Sequence, residues 1–159
     1  MKDQPPGMPH IATTHFGMVP YEPDSLIEFP AGLPAFETER AFLPIHRPQH
    51  EPLVFLQSLS NSSLAFLAIA VNNILVDYNI DLSDEETEAL GGPGSTEEFD
   101  ILALITISPS GQVTANLQAP IIIHRQRRLA VQSVQSNPAY SCRHPLGPPP
   151  EPRQEPPCS

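Results

Sequence analysis

The sequence predicts a mostly β fold: a small antiparallel β-barrel or sandwich domain with one short helix. Three observations carry this expectation. Seven apolar runs of strand length, rich in β-branched or aromatic residues, follow one another between Pro, Gly, Asn or Ser boundaries. Only one segment, around residues 83–92, carries the start and stop signals of a helix. Many short strands and turns within one modest domain are the pattern of a barrel or sandwich.

Taken in order, HFGMVPY (15–21) adds an N-terminal strand, and LIEF (26–29), AFLPIH (41–46) and LVFLQSL (53–59) follow. LAFLAIAV (64–71) and FDILALITIS (99–108) are too continuously apolar for one face to be wet. They read as central strands buried on both sides, one of them beneath the helix. SPSG (108–111) is the turn into VTANLQAPIIIH (113–124), and RLAVQSV (128–134) completes the set. Pro120 and Pro44 have no N–H to give a ladder, so each strand should be bent, bulged or at an edge there. Ser83 and Glu86 form an S-x-x-E capping box, Asp84 and Glu85 suit the positive end of the helix dipole, and Gly91 and Gly92 end the helix after Leu90.

The stretch FPAGLPAFETERAF (29–42) is a rigid corner. Pro30 and Pro34 fix their own φ and extend the residues before them, while Gly32 is free to take a positive φ. Phe29, Leu33 and Phe36 are left to bury their side chains, and AFETER after Pro34 reads as a short helical turn. Nothing in the corner polarises a bond or moves a proton. It is a structural element or a recognition loop.

The chain has 159 residues, which favours one domain. The 21 prolines are uneven, and PLGPPPEPRQEPP (145–157) has no capacity to pack. The expected organisation is a disordered segment 1–10, a β domain 11–146 and a disordered proline-rich tail 147–159. No apolar run has the length to cross a bilayer, and MKDQPPGMPH lacks the apolar stretch of a signal peptide, so the expected location is the cytoplasm. Cys142 and Cys158 read as reduced thiols.

Net charge is −10, and its placement matters more than its size. Residues 1–100 hold 16 acidic and 3 basic side chains, whereas residues 101–159 hold 2 and 5. From Asp77 to Asp100 there is no Lys or Arg among nine acids. Such a surface repels nucleic acid and attracts basic partners, or serves only solubility.

Catalytic chemistry is hard to find. His46 and His50 have ligand spacing, but Pro48 between them forbids a shared helix face, and Cys142 with His144 has no second pair. There is no G-x-S-x-G, P-loop or dinucleotide motif. GGPGS (91–95) trails a helix amid acids, the wrong setting for a phosphate, and reads as a loop. HRQRR (124–128) offers an alternative function, a small β-barrel RNA-binding module, but it lacks interleaved aromatics for base stacking.

Five motifs occur in a telling order: FP-x-GLP-x-F at 29–36, FLQS at 55–58, acids after a long apolar strand, ANLQAPI at 115–121 and RHPL at 143–146, with HFG at 15–17 before them. Across residues 14–146 the chain resembles the flagellar assembly factor FliW family. Ala35, Phe55, Ser141 and Cys142 stand where that family more often has other residues. The resemblance implies a β-barrel-like protein without catalytic activity or cofactor. It implies two protein partners: the RNA-binding translational regulator CsrA, whose repression of flagellin synthesis it relieves, and flagellin, which competes. Neither nucleic acid nor membrane is an expected partner. Candidate contact residues are the acidic stretch with Asp77, Tyr78, Asp81, Asp84, Glu85 and Glu88. The motif positions Phe29, Gly32, Leu33, Phe36, Asn116, Arg143 and His144 join them. Core packing accounts for Phe29, Leu33 and Phe36 better than partner contact does, and a strand bulge is the better account of Asn116, Gln118 and Pro120.

Overall fold

Each apolar run pairs with its neighbour in sequence, and the last one returns to the first. The computed structural model describes residues 8–33, 36–93 and 96–146. Its strands are β1 (His10–Thr13), β2 (Gly17–Pro20), β3 (Ile27–Glu28), β4 (Ala41–His46), β5 (Leu53–Ser58), β6 (Ala65–Ala70), β7 (Phe99–Ile107), β8 (Val113–His124), β9 (Leu129–Gln132) and β10 (His144–Pro145). The one α-helix among the described residues is α1 (Asp84–Ala89). Strands β3 to β8 form an antiparallel meander, and β9 pairs antiparallel with β8. A single parallel pair, Glu28↔Leu129, joins β9 to β3 and closes a seven-stranded mixed barrel. The parallel seam is the one departure from an all-antiparallel barrel. β1 and β2 form a separate hairpin, and β10 extends the edge of β8.

Alternation along each strand sends one set of side chains inward. Phe42, Val54, Leu56, Ala68, Leu102 and Ile121 meet inside the barrel with Ile27 and Phe29. The outer face is covered too. Ile69, Ala103, Ala115 and Leu117 pack beneath Val71 and Tyr140. Leu43 and Ile45 pack with Ile11 of β1. β6 and β7 therefore lie between two apolar layers, as their composition requires. The helix, however, rests on β8 and β9: its C-cap Leu90, fully buried, packs on Phe99, Ile122 and Val131. Burying a leucine in this way contributes roughly 1.5–3 kcal/mol.

Both strand prolines behave as expected. Between Leu102↔Ile121 and Leu104↔Asn116 the register shifts, so residues 117–120 bow out opposite Ala103. β3 pairs only with Ala41 and Phe42, which leaves β4 without a neighbour on that side by the time it reaches Pro44. HFGMVPY holds a strand only from Gly17 to Pro20; Thr13 turns the chain back by donating to the Gly17 carbonyl (2.8 Å) and accepting from the Phe16 N–H (2.8 Å). β1, formed by HIAT, and the two-residue β10 have no clear sequence signature. No helix among the described residues is long and apolar enough to cross a membrane.

The corner after β3 is a closed loop. Phe29 N–H donates to the Arg40 carbonyl (2.7 Å) and Gly32 N–H to the Phe29 carbonyl (2.9 Å). Glu39 then accepts from the Ser58 and Ser60 hydroxyls at 2.6 and 2.7 Å, bonds that hold its carboxyl below the usual value. Pro34 and Ala35 lie outside the described residues. From Phe36 to Arg40 the described part of AFETER forms turns, with Phe36 bridged to Leu33, rather than a helical turn. Gly32 sits at φ 73°, and a Cβ there would meet the Glu37 backbone oxygen at 2.6 Å. Gly32→Ala should therefore cost about 2 kcal/mol or more, from backbone strain and overpacking together. Urea unfolding measures this; an unchanged midpoint would show that the corner relaxes freely.

Candidate functional site

The acidic segment crosses the outer face of the barrel with almost no regular structure until α1, so its position depends on individual hydrogen bonds. The Tyr78 ring stacks on Tyr140, centroids 4.2 Å apart. The Tyr78 hydroxyl donates to the Leu117 carbonyl, and the Tyr140 hydroxyl accepts the Asn79 N–H at 2.9 Å. Gln135 is buried (3% exposed) and clamps Asp81: its Oε1 accepts the Asp81 N–H at 2.8 Å, and its Nε2 donates to the Asp81 carbonyl at 3.2 Å. Gln135 also donates to Ser133 (2.9 Å), whose hydroxyl donates to Glu86 (2.9 Å).

Glu86 thereby links the barrel to the helix cap. Ser83 Oγ accepts the Glu86 N–H at 3.1 Å, and Glu86 Oε1 accepts the Ser83 N–H at 3.0 Å, completing the expected capping box. At the other end Gly91 N–H reaches the Glu88 carbonyl (3.0 Å) and Gly92 N–H the Thr87 carbonyl (2.9 Å), with φ of 96° and 113°. This is a Schellman ending. The Arg127 guanidinium adds a cation there, donating to the Leu90 and Gly92 carbonyls at 3.1 and 3.2 Å.

What remains exposed is uniformly negative. Asp77, Asp81, Asp84, Glu85 and Glu88 are exposed, and no hydrogen bond or ion pair engages their carboxylates among the described residues. Asp84 and Glu88 stand at i,i+4 and Glu85 at i,i+3 from Glu88, so the three share one side of α1. Other acids of the segment are used internally: Glu86 in the cap and Asp100 in an ion pair with Arg125 at 3.1 Å. Tyr78 is therefore a clasp rather than part of the exposed surface.

The remaining candidates fall into three places. Phe29 and Leu33 are core residues (0% and 3% exposed) and present nothing to a partner. Gly32 shapes the corner, and Phe36, 39% exposed, packs edge to face on Phe66 at 5.5 Å. The corner and helix meet across a groove of about 420 Å³, with Gly32 and Glu37 on one side, Glu85 and Ala89 on the other, and Val131 and Gln132 between. Asn116 holds the bulge: its Oδ1 accepts the Gln118 and Ala119 N–H groups at 3.0 Å each. Arg143 and His144 lie beside it at the β8–β10 edge, where His144 pairs with Ala115. Gln135 and Ser133 are the positioning residues the sequence did not single out, with the polar positions of LAVQSVQ (129–135) their only signal; Arg127 stood out only within the basic cluster HRQRR.

HRQRR is not an open basic patch. Arg125 pairs with Asp100 and donates to the Phe99 carbonyl (3.2 Å), Arg127 caps α1, and Arg128 donates to the Ser25 carbonyl (2.8 Å). Among the described residues no group of three or more His, Cys, Asp or Glu is placed to hold a metal. Cys142 is disulfide-bonded, which corrects the expectation of a reduced thiol there; Cys158 lies outside the described residues. That expectation rested on the composition of the tail, which does not fix which thiols meet.

Burial, and next to it the Tyr140 ring, raises the Tyr78 phenol above its ordinary pKa of 10.0. The neutral phenol is favoured in the fold, so its contribution is complete below pH 10 and is lost as the pH rises beyond it. Stability measured from pH 9 to 12 should fall above pH 10. Tyr78→Phe should be less stable at pH 8, for want of the bond to Leu117, yet show a flatter alkaline limb. An equally steep limb would place the titration on another group.

Comparison with known proteins matches this architecture throughout. The FliW protein family matches residues 10–146. The chain is 35% identical over 133 residues to flagellar assembly factor FliW 2 of Desulfotalea psychrophila, covering 84% of this chain and 87% of that one. It is 31% identical over 138 residues to flagellar assembly factor FliW of Bacillus subtilis, covering 86% and 96%. A crystal structure of the flagellar assembly factor FliW superposes with a TM-score of 0.77 at 31% identity, covering 88% of this chain and 98% of that one. The chain belongs to the FliW family, a family of non-enzymatic assembly factors.

Proposed function

We propose that this protein binds a CsrA-like translational regulator through its acidic segment and relieves repression of flagellin synthesis, with flagellin as the competing partner. The observation that carries this reading is the set of exposed, uncompensated carboxylates at Asp77, Asp81, Asp84, Glu85 and Glu88 on a backbone fixed by Tyr78 and Gln135. An RNA-binding regulator must present basic surface, and a preorganised acidic face steers it without the cost of ordering a loop. The same field opposes direct contact with nucleic acid. The three arginines of HRQRR, engaged with carbonyls and Asp100, give the RNA-binding alternative no open patch. We place the protein in the cytoplasm, where such a regulator meets its messages. Residues 11–146 would act as the binding domain, with 1–10 and 147–159 as flanking segments.

Calorimetric titration with the CsrA-like regulator at two salt concentrations tests this. The account expects saturable binding that weakens as salt rises, because exposed charges are screened beyond about 8–10 Å near physiological ionic strength. Reversing Asp84, Glu85 and Glu88 to lysine together should weaken binding by at least roughly tenfold at low salt. Full affinity in the triple variant would move the interface off α1, and no binding at either salt would leave the regulator without a role.

A further inference from the structure

A second feature lies at the end of the barrel where β4 stops and β7 starts, beside the Tyr78 clasp. There the wall is incomplete. β3 has left the sheet for a 3-10 turn at Pro23–Ser25, so the last part of β4 has no neighbour on that side. A cavity of about 560 Å³ opens at this point. Its floor is apolar, formed by Val54, Ala70, Leu102 and Ile123 of four adjacent strands. Its rim carries His46, Asp100, Arg125 and Arg128. Val76, 92% exposed, stands at its lip.

The rim has an unusual construction. Arg128 is the one non-glycine residue with positive φ (58°) among the described residues. Its side chain crosses the gap in the wall, and the guanidinium donates to the Ser25 carbonyl at 2.8 Å and the Leu26 carbonyl at 3.4 Å. These acceptors are neutral, so its charge is not cancelled. Arg125 is cancelled, by Asp100 at 3.1 Å. The rim therefore carries one net positive charge, in a protein of net charge −10. The positive φ costs about 1–3 kcal/mol, and besides tying the turn to the chain entering β3 it leaves a cation at the rim of an apolar hollow.

We propose that this mouth binds a small amphiphilic monocarboxylate, its chain on the apolar floor and its carboxylate against Arg128. The volume lies within the range of small-ligand sites, which combine apolar walls with a few placed polar groups. One net positive charge suits a monoanion. A dianion such as a phosphate monoester would have to sit beside the Asp100 carboxylate. The Arg128 Nη1 also donates to the Arg125 carbonyl at 3.5 Å, so three of the five N–H groups are engaged and a carboxylate would take the remaining one on each Nη.

The test is a titration of the full chain with sodium octanoate, followed by amide chemical shifts and by calorimetry. Saturable shifts should be confined to residues near 54, 70–76, 100–102 and 123–128. Octanamide, the same chain without charge, should bind at least roughly tenfold more weakly, the size of one lost charge-assisted hydrogen bond. Octyl phosphate should be weaker as well. Arg128→Asn removes the guanidinium while tolerating the positive φ and should lose at least roughly tenfold in affinity. Ala70→Leu fills the floor without touching the charges and should abolish saturation; it keeps the test decisive if Arg128→Asn fails to fold. Equal affinity for octanoate and octanamide, shifts spread over the surface, or no saturable shift would each overturn the proposal.

Discussion

The turn between β8 and β9 decides whether the sheet becomes a barrel. β3 and β9 share one residue pair, Glu28↔Leu129, supported by the Glu28 N–H donating to the Arg128 carbonyl at 2.9 Å. So narrow a seam cannot hold by ladder bonds alone. The turn supplies the rest. Buried His124 accepts the Arg127 N–H at Nδ1 (3.1 Å) and its carbonyl accepts the Arg128 N–H (2.8 Å), which locks residues 124–128 in place. From that locked turn three arginines radiate. Arg125 reaches Asp100 and Phe99 at the start of β7, Arg127 the end of α1, and Arg128 the chain entering β3. One turn thus fastens three separate elements across the closure.

This arrangement also settles how an acidic protein uses its basic residues. The cations sit inside the architecture and the anions outside it. Arg127 caps the helix whose exposed side carries Asp84, Glu85 and Glu88, so the helix is neutralised at its C-terminus while its side stays negative. Gln135 and Tyr78 fix the approach to that helix from below. A negative field on a fixed backbone is what the proposed recognition surface needs, and it sets the segment apart from a solvated tail. Its carboxylates need not reorganise when a basic partner arrives.

Much of this was legible in the residues. Periodicity and turn residues located every barrel strand, the capping box located α1, and Pro120 announced the bulge, because each signal acts within a few residues of itself. What escaped was set by distance along the chain. The parallel seam depends on Leu129 meeting Glu28, a hundred residues apart, and no local pattern encodes that. The same holds for HRQRR: from the sequence it is a basic cluster with an RNA-binding alternative, yet its partners are Ser25, Leu90 and Asp100. Tyr78 stood out within the acidic stretch and Asn116 as a motif position, but both serve the backbone, Tyr78 as a clasp and Asn116 as the support of a bulge. A side chain's spacing shows where it lies on a strand; its role depends on which backbone groups the bulge or loop leaves unpaired. β1 and β10 were missed because neither carries a clear strand pattern: β10 is two residues long, and its pairing is decided by β8.

The central claim is that the segment from Asp77 to Leu90 is the recognition surface and the barrel is its mount. The most direct measurement is amide hydrogen exchange of the free protein and of its mixture with the CsrA-like regulator. The account predicts new protection concentrated in residues 77–90, with the barrel strands unchanged. Protection confined to the β1–β2 hairpin or the β8–β10 edge, with residues 77–90 exchanging as in the free protein, would contradict it.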